Sequence, residues 1–92
     1  MAEVAERTLQ IPNELGLHAR AAVKLVQLAS SFPCDVTIAK GSHEVNAKSV
    51  MGVLMLVAPK GTTVTLKASG ARAAEAIAAL AKLIEDKFGE DK

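Results

Sequence analysis

The chain has no tryptophan and no tyrosine, and the only aromatic side chains among its 92 residues are Phe32 and Phe88. A hydrophobic core must therefore be built almost entirely from aliphatic residues. The scarcity of aromatic rings also removes the stacking platform with which proteins bind single-stranded nucleic acid. With 11 basic and 10 acidic residues, the net charge is only +1. No polycationic surface for nucleic acid or anionic lipid is expected.

A single cysteine, Cys34, excludes an internal disulfide bond and is compatible with a reducing compartment. The first residues, MAEVAER, contain no apolar segment of the kind that a secretory signal needs. The longest apolar stretch, 50–58, is interrupted by Gly52 and is far too short to span a bilayer. We therefore expect one soluble, cytoplasmic domain that covers residues 1–92 and does not insert into membranes.

Four short segments alternate polar and apolar residues: 8–11, 35–38, 43–48 and 63–67. This alternation predicts strands with one buried and one solvated face. Such strands favour an antiparallel sheet over a parallel sheet that is buried on both faces. The segment Lys40-Gly41-Ser42 separates the second strand from the third, so these two are predicted to form a hairpin.

Three further segments have helical spacing of their apolar residues. The first is predicted over 19–30 and stops before Pro33, because proline disfavours helix in the residue that precedes it. The second follows Ser49 and ends before Pro59, and the third covers about 72–88. The order β-α-β-β-α-β-α, with one apolar face for each element, predicts an α/β (α+β) fold. It is a two-layer open-faced sandwich, a four-stranded antiparallel sheet with three helices on one side.

A lone histidine, His18, lies where the first helix begins, at or next to its N-cap. Gly16 would allow a tight turn that leaves the imidazole bare to solvent, close to the first-turn N–H groups and to Arg20. A neutral imidazole is a nucleophile, and an anion attached to it would be stabilised by those donors and by the helix dipole. The pattern favours phosphate carried on a histidine. The alternative from the same residues is an ordinary surface histidine near a helix start.

Other candidate residues have simpler interpretations. Ser49 precedes a short apolar helix, where a serine normally serves as the N-cap. Lys24 lies on the polar stripe of the first helix and is either part of a basic docking rim or simply solvated. His43 is predicted to be a solvated strand residue. A zinc site built from His18, Cys34 and His43 would fit no structural-zinc spacing, so we expect no metal and no cofactor.

Two motifs, GLHARA at 16–21 and KSVMGV at 48–53, together with Ser69-Gly70 before the last helix, resemble the HPr family. HPr proteins are the histidine phosphocarriers of the bacterial phosphoenolpyruvate-dependent phosphotransferase system. The resemblance extends from about residue 8 to residue 88, and both the separation of the motifs and the order of the elements are those of the family. Two motifs at the family's spacing are a far more specific signal than one short match.

The resemblance implies a role for each matching position. His18 would accept a phosphoryl group on Nδ1 from enzyme I, which draws it from phosphoenolpyruvate, and pass it to a downstream phosphotransferase-system component in sugar transport. Arg20 would pair with the phosphoryl oxygens, supported by the backbone at Gly16, Ala19 and Arg20. Ser49 would be a regulatory site phosphorylated by an HPr kinase/phosphorylase. The chain would then be a monomeric covalent relay, phosphorylated by other proteins, more than a turnover enzyme.

The resemblance also assigns a docking surface for enzyme I to the second helix, at Val50, Met51 and Leu54, and Lys24 is a candidate for its rim. One position departs from the family, because Ala21 stands where most members have proline. Either residue fits the first turn of a helix, where a missing N–H costs little. The replacement puts the stiffness of the site and its partner preference in question, and leaves the phosphoryl acceptor unaffected.

Two questions stay open at the level of sequence. Segments 13–16 and 54–56 look closer to nitrogen-branch relatives, whereas 48–53 looks like the carbon-branch regulatory site. The competing functional hypothesis is a regulatory protein-binding module of the same fold, in which His18 is not used as a carrier.

Overall fold

The computed structural model describes residues 3–92, so Met1 and Ala2 of the predicted 1–92 domain lie outside the described residues. It contains four strands and three α-helices, followed by a single 3₁₀ turn. In chain order these are β1 (Val4–Gln10), α1 (Ala19–Ser30), β2 (Asp35–Lys40), β3 (His43–Asn46), α2 (Val50–Leu54), β4 (Thr63–Ser69), α3 (Ala73–Glu85) and the turn Lys87–Gly89.

The strands form one antiparallel sheet in the order β1-β4-β2-β3. Strand β1 pairs with β4 along its whole length, from Val4 opposite Ser69 to Gln10 opposite Thr63. Strands β2 and β3 form the predicted hairpin, with Lys40 opposite His43. The predicted four-stranded antiparallel sheet and the element order are confirmed.

The apolar faces of the strands and helices meet in one core on one side of the sheet. Helix α3 packs on β1 and β4, and α1 contacts both α2 and α3. The sheet contributes alternate residues of β2 and β4, and the helices contribute one stripe each, mainly of alanine, leucine and isoleucine. Within residues 3–92, no helix is long and apolar enough to cross a membrane.

Strands β2, β3 and β4 each end two residues away from their predicted last residue, and two other boundaries differ more. Strand β1 begins at Val4, well before the alternating segment 8–11, because backbone pairing with β4 continues to Ser69 even where the side chains of β1 are exposed. Helix α3 ends at Glu85 and does not continue to Phe88. Lys87 and Phe88 both adopt left-handed backbone angles (φ 57° and 55°), which turn the chain back across the molecule and bury the Phe88 ring.

We call residues 87–92 the C-terminal strap. It begins with this reversal and lies against the loop that leads into α1, where the N–H of Glu14 donates a 2.9 Å hydrogen bond to the carbonyl oxygen of Lys92. Residue 92 therefore lies beside the loop that precedes α1.

Gly16 allows the loop before α1 to pack closely on the segment after α2. Its φ is +66°, and a Cβ atom there would lie 2.6 Å from the carbonyl oxygen of Ala58 and 2.7 Å from Cα of Pro59. The next residue, Leu17, donates a 2.9 Å backbone hydrogen bond to the same oxygen of Ala58. Since both of these neighbours are backbone atoms, no side-chain rearrangement can make room for a Cβ atom at position 16.

Replacing Gly16 with alanine should therefore destabilise the fold by roughly 3 kcal/mol, the sum of left-handed strain and a backbone clash. Gly41 is a matched control, because its φ is +58° but a Cβ atom there meets nothing within 4 Å. Gly41→Ala should cost only about 1 kcal/mol. Chemical denaturation of both variants tests this, and equal losses of stability would contradict it.

Candidate functional site

His18 is the N-cap of α1, as its sequence position predicts. Its backbone is extended (φ −79°, ψ 178°), and its carbonyl oxygen accepts a 2.8 Å hydrogen bond from the N–H of Ala22. The imidazole itself makes no capping hydrogen bond to the helix. The N–H groups of the first turn, which have no partner within a helix, are therefore not occupied by this side chain.

The expectation that the imidazole is bare to solvent is wrong. Its side chain is only 27% exposed, because Nε2 forms a hydrogen bond with Oε2 of Glu90 in the C-terminal strap. The chain reversal after α3 brings this carboxylate to the ring. One ring nitrogen of His18 is thus engaged by protein, and the other, Nδ1, is the one that the family resemblance assigns as phosphoryl acceptor.

Glu90 is held by two donors. Oε2 faces His18, and Oε1 accepts a 2.9 Å hydrogen bond from Nδ2 of Asn13, whose side chain is fully buried. The hydrogen bond from His18, then that from Asn13, lower the pKa of Glu90 below the ordinary value of 4.5, and the ammonium of Lys24 adds to the effect. At neutral pH the residue is therefore a carboxylate, which can only accept hydrogen bonds.

The first turn of α1, which follows His18, contains one basic residue, Arg20. Ala19 and Arg20 are exposed at its first two positions, so the Arg20 guanidinium lies on the solvent side of the same turn as His18. Ala21 is fully buried, and as the third residue of the helix it lies in the first turn, as the sequence register predicts. The roles of Arg20 and of the backbone at Gly16 and Ala19 in binding phosphate stay predictions.

Ser49 is the N-cap of α2, as predicted. Its Oγ accepts a 3.1 Å hydrogen bond from the N–H of Gly52. On the helix that follows, Met51 is 71% exposed, whereas Val50 and Leu54 are half-buried and contact the core. The docking role of these three residues stays a prediction.

The exposed apolar surface is wider than the second helix alone. We define the apolar patch as Leu15, Met51, Met55 and Val57, all large hydrophobic side chains that are at least 64% exposed. Val57 has a left-handed backbone (φ 50°), which is unusual for a β-branched residue. A shallow groove joins this side of the molecule to the imidazole; its lining is Leu15, Leu17, His18, Leu54, Val57, Ala58 and Pro59.

The other residues considered from sequence are Lys24, His43 and Cys34, and none of them lines this groove. The Lys24 ammonium donates a 2.6 Å hydrogen bond to the carbonyl oxygen of Phe88, so it fastens the C-terminal strap; a part in docking stays a prediction. His43 is exposed on β3, as expected, and Cys34 is buried. Within residues 3–92, no three His, Cys, Asp or Glu side chains are grouped so as to hold a metal ion.

Sequence reasoning missed Glu90, Asn13, Leu15 and Val57. Glu90 lies 72 positions after His18, so no local spacing could connect them. Asn13 appeared only as part of the segment 13–16. Asn13 is buried although the next residue, Glu14, is exposed. Only the way in which the folded loop packs on the core explains this burial.

The geometry suits a side chain that accepts an anionic group and then releases it. One nitrogen of His18 is held by a carboxylate, and the residue itself caps the N-terminus of a helix, where the helix dipole is positive. A helix N-terminus at a surface contributes about 0.3–1 kcal/mol to the binding of an anion. Stabilisation of this size favours reversible transfer over tight retention.

A family model described as "PTS HPr component phosphorylation site" matches residues 5–86. The chain is 48% identical over 85 residues to phosphocarrier protein HPr of Neisseria meningitidis serogroup A, covering 92% of this chain and 96% of that one. It is 47% identical over 85 residues to phosphocarrier protein NPr of Shewanella violacea, with 92% and 93% coverage. The crystal structure of HPr-C-His from Thermoanaerobacter tengcongensis superposes with a TM-score of 0.92 at 46% identity, covering 96% and 99% of the two chains.

The hydrogen bond from His18 is the largest cause of the lowered Glu90 pKa, so His18→Ala should raise that pKa toward 4.5. Asn13→Ala should raise it less. Because the folded-state pKa is depressed, the contribution of Glu90 to stability is present above its ordinary pKa and is lost as the pH falls through the lowered value. The chemical shift of the Glu90 carboxyl carbon, followed across an acid titration, measures this pKa. His43→Ala is the control, and an unchanged Glu90 midpoint in His18→Ala would show that the ring does not hold the carboxylate.

Proposed function

The chain belongs to the HPr family, and we propose that His18 is the side chain on which it carries a phosphoryl group, at Nδ1. The family match and the relatives named as phosphocarrier proteins support a phosphocarrier role in the phosphotransferase system. Nothing in them favours the competing hypothesis of a protein-binding module with an idle histidine. The observation that carries the assignment to His18 is its place at the N-cap of α1, with Nε2 engaged and the first-turn donors not capped by its ring.

Transfer to and from His18 depends on positioning and on neutralising charge. A loose phosphoryl transition state spreads charge over three oxygens, and such reactions are catalysed mainly by alignment and electrostatics. The N–H groups at Ala19 and Arg20, with the Arg20 guanidinium, would meet that charge, and the backbone at Gly16 fixes the loop that carries the ring. The partner protein supplies the remaining groups, so this small domain acts as a relay.

Partners within the phosphotransferase system follow from family membership. We propose enzyme I as the phosphoryl donor and a downstream component of the system as the acceptor. Both would dock on the apolar patch and on Val50 and Leu54, since Leu54 and His18 line the same groove. One chain holds all the residues named for the site, which supports action as a monomer. The cytoplasmic location stays a prediction.

Ser49 is proposed as the regulatory phosphorylation site, with an HPr kinase/phosphorylase as the modifying enzyme. Its hydroxyl is half-buried as a cap, next to the exposed Met51. A phosphate there would bring about −1.5 to −2 charges to the end of α2, where the helix dipole tolerates them. The same charges would lie beside the apolar docking surface, so binding of enzyme I would weaken while the fold persists.

The primary test is incubation of the protein with enzyme I and phosphoenolpyruvate. We expect acid-labile, alkali-stable phosphate on the wild-type chain, none on His18→Ala, and a wild-type amount on His43→Ala, which removes an exposed histidine away from the site. Phosphate that persists in His18→Ala would assign the carrier to another residue. No phosphate on the wild type would overturn the proposed function.

A second test replaces Ser49 with aspartate. Aspartate is as good an N-cap as serine, so the midpoint of thermal unfolding should stay near that of the wild type. Phosphorylation of His18 by enzyme I should slow, because the new charge lies beside the docking surface. Ser42→Asp, the same change in the exposed β2–β3 turn, is the matched control. Equal transfer rates for the two variants would exclude a regulatory role for charge at Ser49.

A further inference from the structure

The C-terminal strap is fastened over the start of α1 at both of its ends. Phe88 is buried in the core, and its carbonyl oxygen accepts a 2.6 Å hydrogen bond from the Lys24 ammonium. At the other end, the carbonyl oxygen of Lys92 accepts a 2.9 Å hydrogen bond from the N–H of Glu14. Glu90 lies between these two attachments, so its carboxylate is held against the site.

Asn13 fixes the direction of that carboxylate. Its Nδ2 donates to two acceptors, the carbonyl oxygen of Gly16 at 2.8 Å and Oε1 of Glu90 at 2.9 Å. Because both neighbours can only accept, the amide nitrogen must face them, and the reversed orientation of the amide would set oxygen against oxygen. The side chain is fully buried, so no rotation toward solvent competes. Oε1 is thereby committed to Asn13, and Oε2 is left for His18.

A carboxylate has no proton to give, so the hydrogen bond between Oε2 of Glu90 and the ring requires His18 to donate from Nε2. In the neutral imidazole, the proton on Nε2 leaves the lone pair on Nδ1. We propose that Glu90, oriented by Asn13, is a positioning residue for phosphoryl transfer that holds His18 in the tautomer whose nucleophile is Nδ1. The proposal rests on the proposed function and adds to it the residues that fix the tautomer of the ring.

The transfer step balances without a proton leaving the site. The Nδ1 lone pair forms the new N–P bond, the bond between phosphorus and the donor's leaving group breaks, and that group takes the electron pair. The Nε2 proton stays in place, and the positive charge that develops on the ring faces the Glu90 carboxylate. Reverse transfer uses the same arrangement, as a carrier requires.

Glu90→Gln gives the sharpest test, because Asn13 also dictates how the glutamine must lie. Its Oε1 must face the Asn13 donor, which turns its NH₂ group toward Nε2 of His18. That contact requires a lone pair on Nε2 and so moves the proton to Nδ1. We expect the ¹⁵N chemical shifts of the neutral ring to show the Nε2–H form in the wild type, the Nδ1–H form in Glu90→Gln, and a mixture in Glu90→Ala.

The double variant Asn13→Ala, Glu90→Gln separates this mechanism from a general disturbance of the strap. Without the Asn13 donor the glutamine can present its oxygen to His18, so the Nε2–H form should return in part. Dispersed amide spectra establish that each variant is folded. Glu90→Ala needs no change at Asn13, so it tests the role of the carboxylate even if the double variant does not fold.

The kinetic consequence is measured with enzyme I and phosphoenolpyruvate. Phosphorylation of His18 should be slower in Glu90→Gln by at least about tenfold, since a triad histidine held in the wrong tautomer loses about 10⁴-fold in kcat. Asp91→Asn is the matched control, since it removes the neighbouring carboxylate of the strap, and it should keep the wild-type rate and tautomer.

A wild-type tautomer ratio in Glu90→Ala, or the Nε2–H form in Glu90→Gln, would overturn the proposal. These readouts need no partner protein. If enzyme I does not phosphorylate the wild type, the proposed function fails, while the tautomers still decide whether Glu90 controls the ring.

Discussion

The hydrogen bond between His18 and Glu90 joins the beginning of α1 to the end of the chain, and the arrangement of the site depends on it. It exists because Lys87 and Phe88 take left-handed backbone angles that end α3 early and reverse the chain. Burial of Phe88 then holds the strap in place, since a buried aromatic side chain contributes several kcal/mol that would be lost if the segment lifted away. Lys24, on the polar side of α1, secures the same turn through the carbonyl oxygen of Phe88.

The two sides of the imidazole lie in different electrostatic surroundings. The carboxylate of Glu90 engages Nε2, while the helix N-terminus and Arg20 are the groups that we propose to stabilise an anion carried on the ring. Each of these contributions is modest at a surface site. Modest stabilisation suits a carrier, because a strongly stabilised phosphoryl group would be released slowly to the next protein. Half-burial of the ring also restricts its rotation without closing it off from a docked partner.

Much of this could be predicted from sequence where the physical signal is local. The bounds of α1, the capping position of His18 and the N-cap of α2 at Ser49 all follow from helical spacing and from capping chemistry within a few residues. Gly16 was identified as a turn because few residues other than glycine accept its backbone angle. The end of α3 could not be predicted in this way, because the apolar spacing continues to Phe88 although the helix ends at Glu85. Glu90 and Asn13 could not be found at all, since their partnership depends on the tertiary reversal of the strap and leaves no periodic pattern.

The apolar patch, too, could be predicted from sequence only in part. The positions on α2 could be proposed from the family resemblance, but Leu15 and Val57 come from loops, and their exposure depends on how those loops pack around Gly16. Lys40 helps to hold Val57 in its left-handed conformation, since its ammonium donates a 2.8 Å hydrogen bond to the Val57 carbonyl oxygen. Residues of two distant segments, the loop before α1 and residues 51–57, form this surface, and only the folded chain shows that they come together.

The nitrogen that carries the phosphoryl group is the most direct measurement on this site. Coupling between ³¹P and ¹⁵N in the uniformly labelled protein, after phosphorylation by enzyme I and phosphoenolpyruvate, identifies the bonded atom. We expect the phosphorus to be attached to Nδ1 of His18, with the Nε2 proton retained. Attachment to Nε2, or to any residue other than His18, would contradict the role assigned here to the ring and to the carboxylate that holds it.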